Sequence, residues 1–423
     1  MKFKPYEEYK KVDLPWIDEI PSHWEINKVK YLCRINTGTK DTIDRVDDGL
    51  YPFFVRSKKV YRINSFSYDG EAVLTAGDGD IGEIFHYIDG KFDYHQRVYL
   101  FSQFRNIKPK YFYYYLKSNL KNGIVMYTAK TTVNSLRLPW LKNFNFVLPP
   151  KEEQDKIAAF LDHNLAKIDK FVELTERQIE LLKEQKEVII SDAVTKGIDK
   201  NVEYKDSGID WIGEIPAHWE VTRLKYLTNS SFLYGANESG IQYNEELPRY
   251  IRITDIDKNG TLKDTRKRSL SNKKSKGFLL KNGDVLFARS GATVGKTFLY
   301  EYENDKACFA GYLIRFRPDF KEIVPRYLYL YTKSGLYKLW VQSIFIQSTI
   351  QNISAERYKN LVITLPPKKQ QKEIVAYIEK ETSKIDRTIE LYKSQIELIK
   401  EYRTSLIASA VTGKIDVRDF HIV

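Results

Sequence analysis

The sequence predicts an α+β protein with a pseudo-two-fold internal repeat: two globular α/β domains joined by two long helices that form an antiparallel coiled coil. Three features of the 423 residues predict it. A short motif, a block of mixed period and a long heptad helix follow one another, and the whole series then occurs again.

The motif comes first. Residues 9–32 and 204–227 align at a constant offset of 195. Trp16 answers Trp211, and Ile20-Pro21-x-His23-Trp24-Glu25 answers Ile215-Pro216-x-His218-Trp219-Glu220. His23 and His218 recur inside this motif, which makes packing or capping beside the tryptophans their ordinary role.

The helices form a second repeat with an offset of 217, residues 148–161 answering 365–378 and residues 167–184 answering 384–401. Ala193-Val194-Thr195 likewise answers Ala410-Val411-Thr412. Steps of three and four from Ala158 run through Leu161, Leu165, Ile168, Val172, Thr175, Ile179, Leu182, Lys186 and Ile189 to Ala193. The same register from Val375 passes Ile378, Thr382, Ile385, Ile389, Tyr392, Ile396, Ile399, Arg403 and Leu406 to Ala410. Ten of the eleven positions in each helix are apolar or Thr, which is a coiled-coil seam and not a broad amphipathic face. Lys186 and Arg403 break the two seams at the same point, as register-fixing polar residues do. Leu-Pro-Pro ahead of each helix stops any helix upstream, and Glu152 and Glu153 suit a first turn. About 45 helical residues span roughly 65–70 Å at 1.5 Å each. Such helices could dimerise the chain, but two matching seams in one chain predict an internal pair, which if antiparallel acts as a ruler between the blocks.

The blocks read as mixed α/β. Strands are expected at Tyr250–Ile253, Asp284–Ala288, Tyr312–Phe316 and Phe298–Tyr302, and Tyr-rich helices at Pro109–Lys121 and Pro325–Tyr337. The two blocks are only faintly related: residues 73–84 and 285–297 share a strand–Gly-turn–strand outline, and Thr132–Leu136 and Thr349–Ile353 hold equivalent positions before the helices. Domains follow at 1–147 and 201–363, with helices at 148–200 and 364–423, the last including a C-terminal tail.

Charge is divided the same way. Of the net +12, residues 33–147 carry +6 and residues 229–363 carry +9, leaving −3 for the rest. Two basic blocks on a neutral frame suit two polyanion-binding modules. No run of 18 apolar residues is present, and the N-terminus lacks a signal-peptide core, so a cytoplasmic protein with no membrane partner is expected. Two cysteines, Cys33 and Cys308, cannot build a disulfide framework or a metal cluster, and no metal site is expected.

No catalytic set emerges. Ser290–Thr297 imitates a phosphate loop, but Ser290 stands where the first Gly is required and a strand follows instead of a helix. The two Pro-Pro pairs open helices and so do not serve a methyltransferase motif, and Pro318-Asp319 lacks the downstream acidic-x-Lys of a common nuclease.

The duplicated IPxHW segments, the duplicated LPP-x-x-x-Q-x-x-I helix starts, the LY-G-x-N and RITDIDKNG stretches and the GDVLFARSGATVGKT hairpin together resemble the specificity subunits of type I restriction–modification enzymes, over essentially the full length. The resemblance implies two target-recognition domains, each reading one half of a bipartite target in double-stranded DNA, with the helix pair setting the spacer. It also implies docking of modification (methyltransferase) subunits, two in number, and of restriction/translocase subunits. The chain itself is then no enzyme and binds no cofactor; S-adenosylmethionine, ATP and Mg belong to the partners. The first block departs further from the family pattern, since its hairpin AGDGDIGE lacks the Arg and Lys of the second. A coiled-coil scaffold or a degenerate subunit without sequence-specific DNA binding is the alternative.

Phosphate contacts fall to Lys and Arg, and base edges favour Arg, Asn and Gln. The candidates in the first block are Arg56, Lys58, Lys59, Gln96, Arg97, Lys130, Thr131 and Asn134. In the second they are Arg266, Lys267, Arg268, Lys273, Lys274, Arg289, Ser290, Lys296, Gln347 and Gln351.

Overall fold

The computed structural model describes residues 3–128, 135–257, 260–291, 293–302, 306–346 and 352–421. The chain forms two compact units, Met1–Glu176 with Lys393–Val423, and Arg177–Tyr392. The long helices Lys151–Lys196 and Lys368–Val411 therefore each begin in one unit and end in the other.

Within each unit the start of one helix packs on the end of the other, so the pair is antiparallel. In the first unit Ile157, Leu161, Leu165 and Ile168 share a core with Leu406, Ile407, Ala410 and Val411. In the second, Ile190, Ala193 and Val194 share a core with Ile374 and Ile378. Every seam position from Ala158 to Ala193 and from Val375 to Ala410 is buried or half-buried, Leu182 and Ile399 being among the half-buried. The two seam-breaking cations find acids on the facing helix. Arg403 reaches Asp169 at 3.3 Å in the first unit, and Lys186 reaches Asp386 at 2.7 Å in the second. These pairs are images of each other under the 217-residue repeat. Their half-exposed partners make each worth at most about 1 kcal/mol, so they act on register more than on stability.

The duplicated motif closes each helix start. Strand Glu25–Lys28 pairs antiparallel with Asn145–Leu148, and Glu220–Arg223 pairs with Val362–Leu365, so the strand entering a block is bonded to the strand leaving it. Trp24, fully buried, donates from Nε1 to Glu153 at 2.9 Å, and His23 contacts the same carboxylate at 2.7 Å. Trp219 and His218 meet Gln370 at 2.8 and 3.0 Å in the same way. Both histidines thus serve the helix's first turn.

The next residue explains the spacing of Leu-Pro-Pro-x-x-x-Gln. Gln154 is wholly buried; its oxygen accepts from the Lys108 amide at 2.7 Å and its nitrogen donates to the Pro149 carbonyl at 2.8 Å. Gln371 repeats this with the Val324 amide at 2.8 Å and the Pro366 carbonyl at 2.9 Å. Each glutamine ties the proline turn to the loop that begins the Tyr-rich helix.

The blocks share one topology despite their faint sequence likeness. Four strands, Arg34–Thr37, Val98–Ser102, Ala72–Ala76 and Phe85–Ile88, lie side by side in the first, all antiparallel. Leu233–Tyr234, Leu313–Phe316, Val285–Ala288 and Thr297–Leu299 do so in the second. A second sheet in each contains one parallel pair, Tyr51–Phe54 with Lys91–Tyr94 and Arg249–Ile251 with Ala307–Phe309. The sequence misjudged some boundaries. The first Tyr-rich helix runs Pro109–Thr128, and the second is broken into Pro325–Tyr331 and Gly335–Ile346. Ser334 breaks it, its hydroxyl donating to the Tyr331 carbonyl at 2.7 Å while the Gly335 amide turns to Ser191 at 2.9 Å. Cys33 and Cys308 are free and buried, and burial pushes both thiols up to about 12.

Replacing Gln154 or Gln371 with Ala strands a buried amide and a carbonyl. Each change is expected to cost about 1–3 kcal/mol in urea denaturation, and a neutral effect would remove the clamp's role.

Candidate nucleic-acid interface

In each block three backbone segments converge beside the Gly-rich turn. In the first, the Leu136 amide donates to the Gly77 carbonyl at 2.7 Å and the Gly77 amide donates to Arg97 at 2.8 Å. In the second, the Ile353 amide donates to Arg289 at 2.8 Å and the Arg289 amide donates to Tyr312 at 3.0 Å. Asp78 bridges Ser135 as Ser290 bridges Asn352. Gly77 and Arg289 are therefore equivalent, as are Arg97 and Tyr312. Each block carries one arginine in this hydrogen-bonded pair, Arg97 just ahead of strand Val98–Ser102 in the first and Arg289 just after strand Val285–Ala288 in the second. The close approach of a further segment requires glycine, since a Cβ on Gly38 would lie 2.0 Å from the Tyr94 carbonyl oxygen and one on Gly235 2.3 Å from that of Ala310.

The first block draws several sequence-predicted residues together. Arg56 and Arg97 each donate to Asp78 at 2.8 Å. Burial opposes the charge of Asp78, but the two guanidinium hydrogen bonds outweigh it and hold the carboxyl below its usual range. Gln96 donates to Asp41 at 2.8 Å, and His95, its ring buried, accepts the Arg97 amide at 2.9 Å. Lys59 covers the Tyr61 ring at 5.2 Å, and Lys58 is exposed. Lys130, Thr131 and Asn134 lie outside the described residues.

The second block places its cations along the segment Tyr234–Tyr243. At one end the Arg289 guanidinium lies 4.7 Å from the Tyr234 ring centre, and its buried Nε has no hydrogen-bond partner among the described residues. Lys274 pairs with Glu238 at 2.6 Å midway. At the far end Arg268 lies in a strand opposite Gln242, and Lys267 pairs with Asp264 at 2.8 Å while facing Tyr243 at 5.4 Å. Arg266 takes a left-handed φ of 59°. Arg266, Arg268 and Lys273 are exposed, and Ser290 contributes its backbone bridge. Gln347 and Gln351 lie outside the described residues.

Lys296 adjoins Lys333, a lysine that the sequence did not single out. Burial, then the charge of Lys296, lowers the Lys333 ammonium to about 8, while its Nζ donates to the Thr297 carbonyl at 3.2 Å and faces Tyr329 at 4.4 Å. Tyr234, Tyr243 and Tyr312 were also missed. Tyr312 is 65 % exposed, and only the fold shows that it holds the position of Arg97. The arrangement offers cations, a buried unsatisfied donor and exposed aromatic rings, the groups that bind phosphates and base edges. Among the described residues, no three His, Cys, Asp or Glu side chains gather as a metal site requires, and no helix is long and apolar enough to cross a membrane.

The family model described as the type I restriction modification DNA specificity domain matches residues 21–184 and again 216–401. The chain is 25 % identical to the putative type I restriction enzyme MjaX specificity subunit of Methanocaldococcus jannaschii, over 99 % of both chains. It is 26 % identical to the StySPI specificity subunit of Salmonella potsdam over 73 % of this chain, spanning 66 % of that protein. In fold it matches a chain from a study of assembly and conformational transition in the type I R-M system, with a TM-score of 0.69 at 16 % identity, covering 94 % of this chain and 99 % of that one. It also matches the HsdS subunit from Thermoanaerobacter tengcongensis, with a TM-score of 0.53 at 16 % identity, covering 94 % and 98 %.

Replacing Asp78 with Ala frees two arginines. Non-specific DNA affinity is expected to rise, and the slope of log K against log salt to steepen by up to about two phosphate contacts. An unchanged slope would remove Arg56 and Arg97 from the interface. A second outcome concerns pH. Burial lowers the imidazoles of His86 and His95, against a raising contact to Ser57 for the first and the charge of Asp41 for the second. A histidine depressed in the folded state favours folding above its unfolded value of about 6.5 and gives up that contribution as pH falls. The first block should therefore melt earlier at pH 5.5 than at 7.5, and less so with both histidines replaced by Asn.

Proposed function

The chain belongs to the type I restriction–modification DNA specificity family, and from that premise we propose that it is the reader of a bipartite target in double-stranded DNA. Each block takes one half-site, and the helix pair fixes the gap between them. The carrying observation is that each block holds an arginine beside the same converging backbone segments, at neighbouring positions that are not equivalent: Arg97 beside Asp78, and Arg289 on Tyr234. One fold with relocated cations suits two readers of different sequence. Phosphate contacts are assigned to the exposed lysines and to Arg266 and Arg268, and base contacts to Arg97 and Arg289, because arginine pairs bidentately with guanine.

In this reading the chain performs no chemistry. Modification subunits, two of them, bring S-adenosylmethionine, and restriction/translocase subunits bring ATP and Mg, all acting in the cytoplasm. The frame around the duplicated motifs and the helices is the docking part.

The test is genome-wide mapping of methylated adenine in cells co-expressing this chain with its modification subunit. The expected result is a new motif in two parts with a fixed gap. Arg97→Ala should relax one part and Arg289→Ala the other. Inserting one heptad into each long helix adds about 10 Å, which should lengthen the gap by about three base pairs and leave both parts unchanged. Assembly of a folded complex without any new motif would favour the scaffold reading.

A further inference from the structure

The internal repeat supplies its own control for a cavity in the second unit. This cavity, about 390 Å³, lies over the duplicated motif and is lined by Pro216, His218, Trp219, Gln370, Ile374 and Val202. The matching surface of the first unit is filled. There Tyr6 is 4 % exposed, its ring 5.5 Å from Trp24 and 5.7 Å from His23 and its hydroxyl donating to Glu153 at 3.1 Å. The Arg418 guanidinium covers that ring at 5.0 Å and is held by Asp416 at 2.6 Å.

The repeat offsets carry His23, Trp24, Glu153 and Asp416 onto His218, Trp219, Gln370 and Asp199. They carry both Tyr6 and Arg418 onto Asn201, which is exposed. The second unit thus keeps the receiving groups and lacks the two side chains received. Gln370 uses its oxygen for Trp219 and His218, so its amide N–H groups remain to meet a hydroxyl. Asp199 pairs with no cation among the described residues, and Glu373 adds a second carboxylate at the rim.

We propose that this slot is a docking site for a tyrosine side chain with a neighbouring basic residue, presented by a partner polypeptide. The tyrosine ring packs edge-on against Trp219 and beside His218, as Tyr6 does on Trp24 and His23, its oxygen accepts from the Gln370 amide, and the basic group answers Asp199 and Glu373. The proposal does not depend on DNA reading.

The test is saturation-transfer NMR on the full chain with the peptide acetyl-Lys-Pro-Tyr-Arg-amide. Saturable transfer to the tyrosine ring protons is expected, with loss when the peptide's Tyr is replaced by Ala and weakening when its Arg is replaced by Glu. Asn201→Tyr supplies the plug of the first unit, and Val202→Trp fills the slot another way; each should weaken binding by about tenfold or more. Tyr6→Ala should open a second site and raise the bound stoichiometry from one to two. Absence of transfer, or equal transfer in both plugged variants with unchanged melting, would overturn the proposal. So would self-association of the chain that the peptide abolishes, because a second copy would then be the occupant.

Discussion

A buried tyrosine hydroxyl in each unit is the constraint on which the architecture depends. Tyr111 donates within reach of the Val147 carbonyl at 3.0 Å and the Val411 carbonyl at 3.1 Å. Tyr327 does the same with Thr364 at 3.1 Å and Val194 at 3.2 Å. One acceptor lies on the strand leaving the block, and the other is a terminal carbonyl of the helix that began in the other repeat. The last turn of a helix leaves carbonyls without intrahelical partners, and a buried phenol must find an acceptor. The two groups meet because the helix ends in the unit where it did not begin. Each core thus holds the end of one helix beside the start of the other, and the seam continues the pairing along their length.

The termini obey the same rule. In the first unit the Asp416 amide donates to the Lys4 carbonyl at 2.7 Å, so segments far apart in sequence meet where the second unit has the continuous run Ile198–Val202. Tyr9 and Tyr204 close both versions, donating to the Gly413 carbonyl at 2.9 Å and the Lys196 carbonyl at 3.3 Å. Because one unit brings together two segments far apart in sequence and the other uses a continuous run, their surfaces differ at this point although their cores agree.

The frame and the blocks meet different demands. A frame residue such as Gln154 has three polar neighbours at fixed positions, and few side chains reproduce its bonds. The turn beside Gly77 or Arg289 needs only a backbone path, which leaves the side chains above it free to change. Arginine can therefore move between strands while the sheet beneath keeps its order. Asp78 shows the electrostatic consequence: the first block carries an acid that engages two arginines, and the second has Ser290 there and leaves Arg289 on an aromatic ring.

The sequence by itself determined the repeat, the heptad seams, the helix starts and the basic character of both blocks. These depend on period and local chemistry, which a linear pattern records directly. Lys186 and Arg403 were legible as seam-breakers, and His23 and His218 as capping partners, because each pair recurs at a constant offset. Only the tertiary structure decided that Arg97 and Tyr312 share one location with Arg289 beside it, since no spacing in the sequence relates them. It likewise decided that Lys333 is a half-buried cation and that Ser334 breaks a helix which its periodicity continued. Contacts made across a sheet depend on strand order, and strand order is settled by the closing of a core, which no stretch of sequence contains.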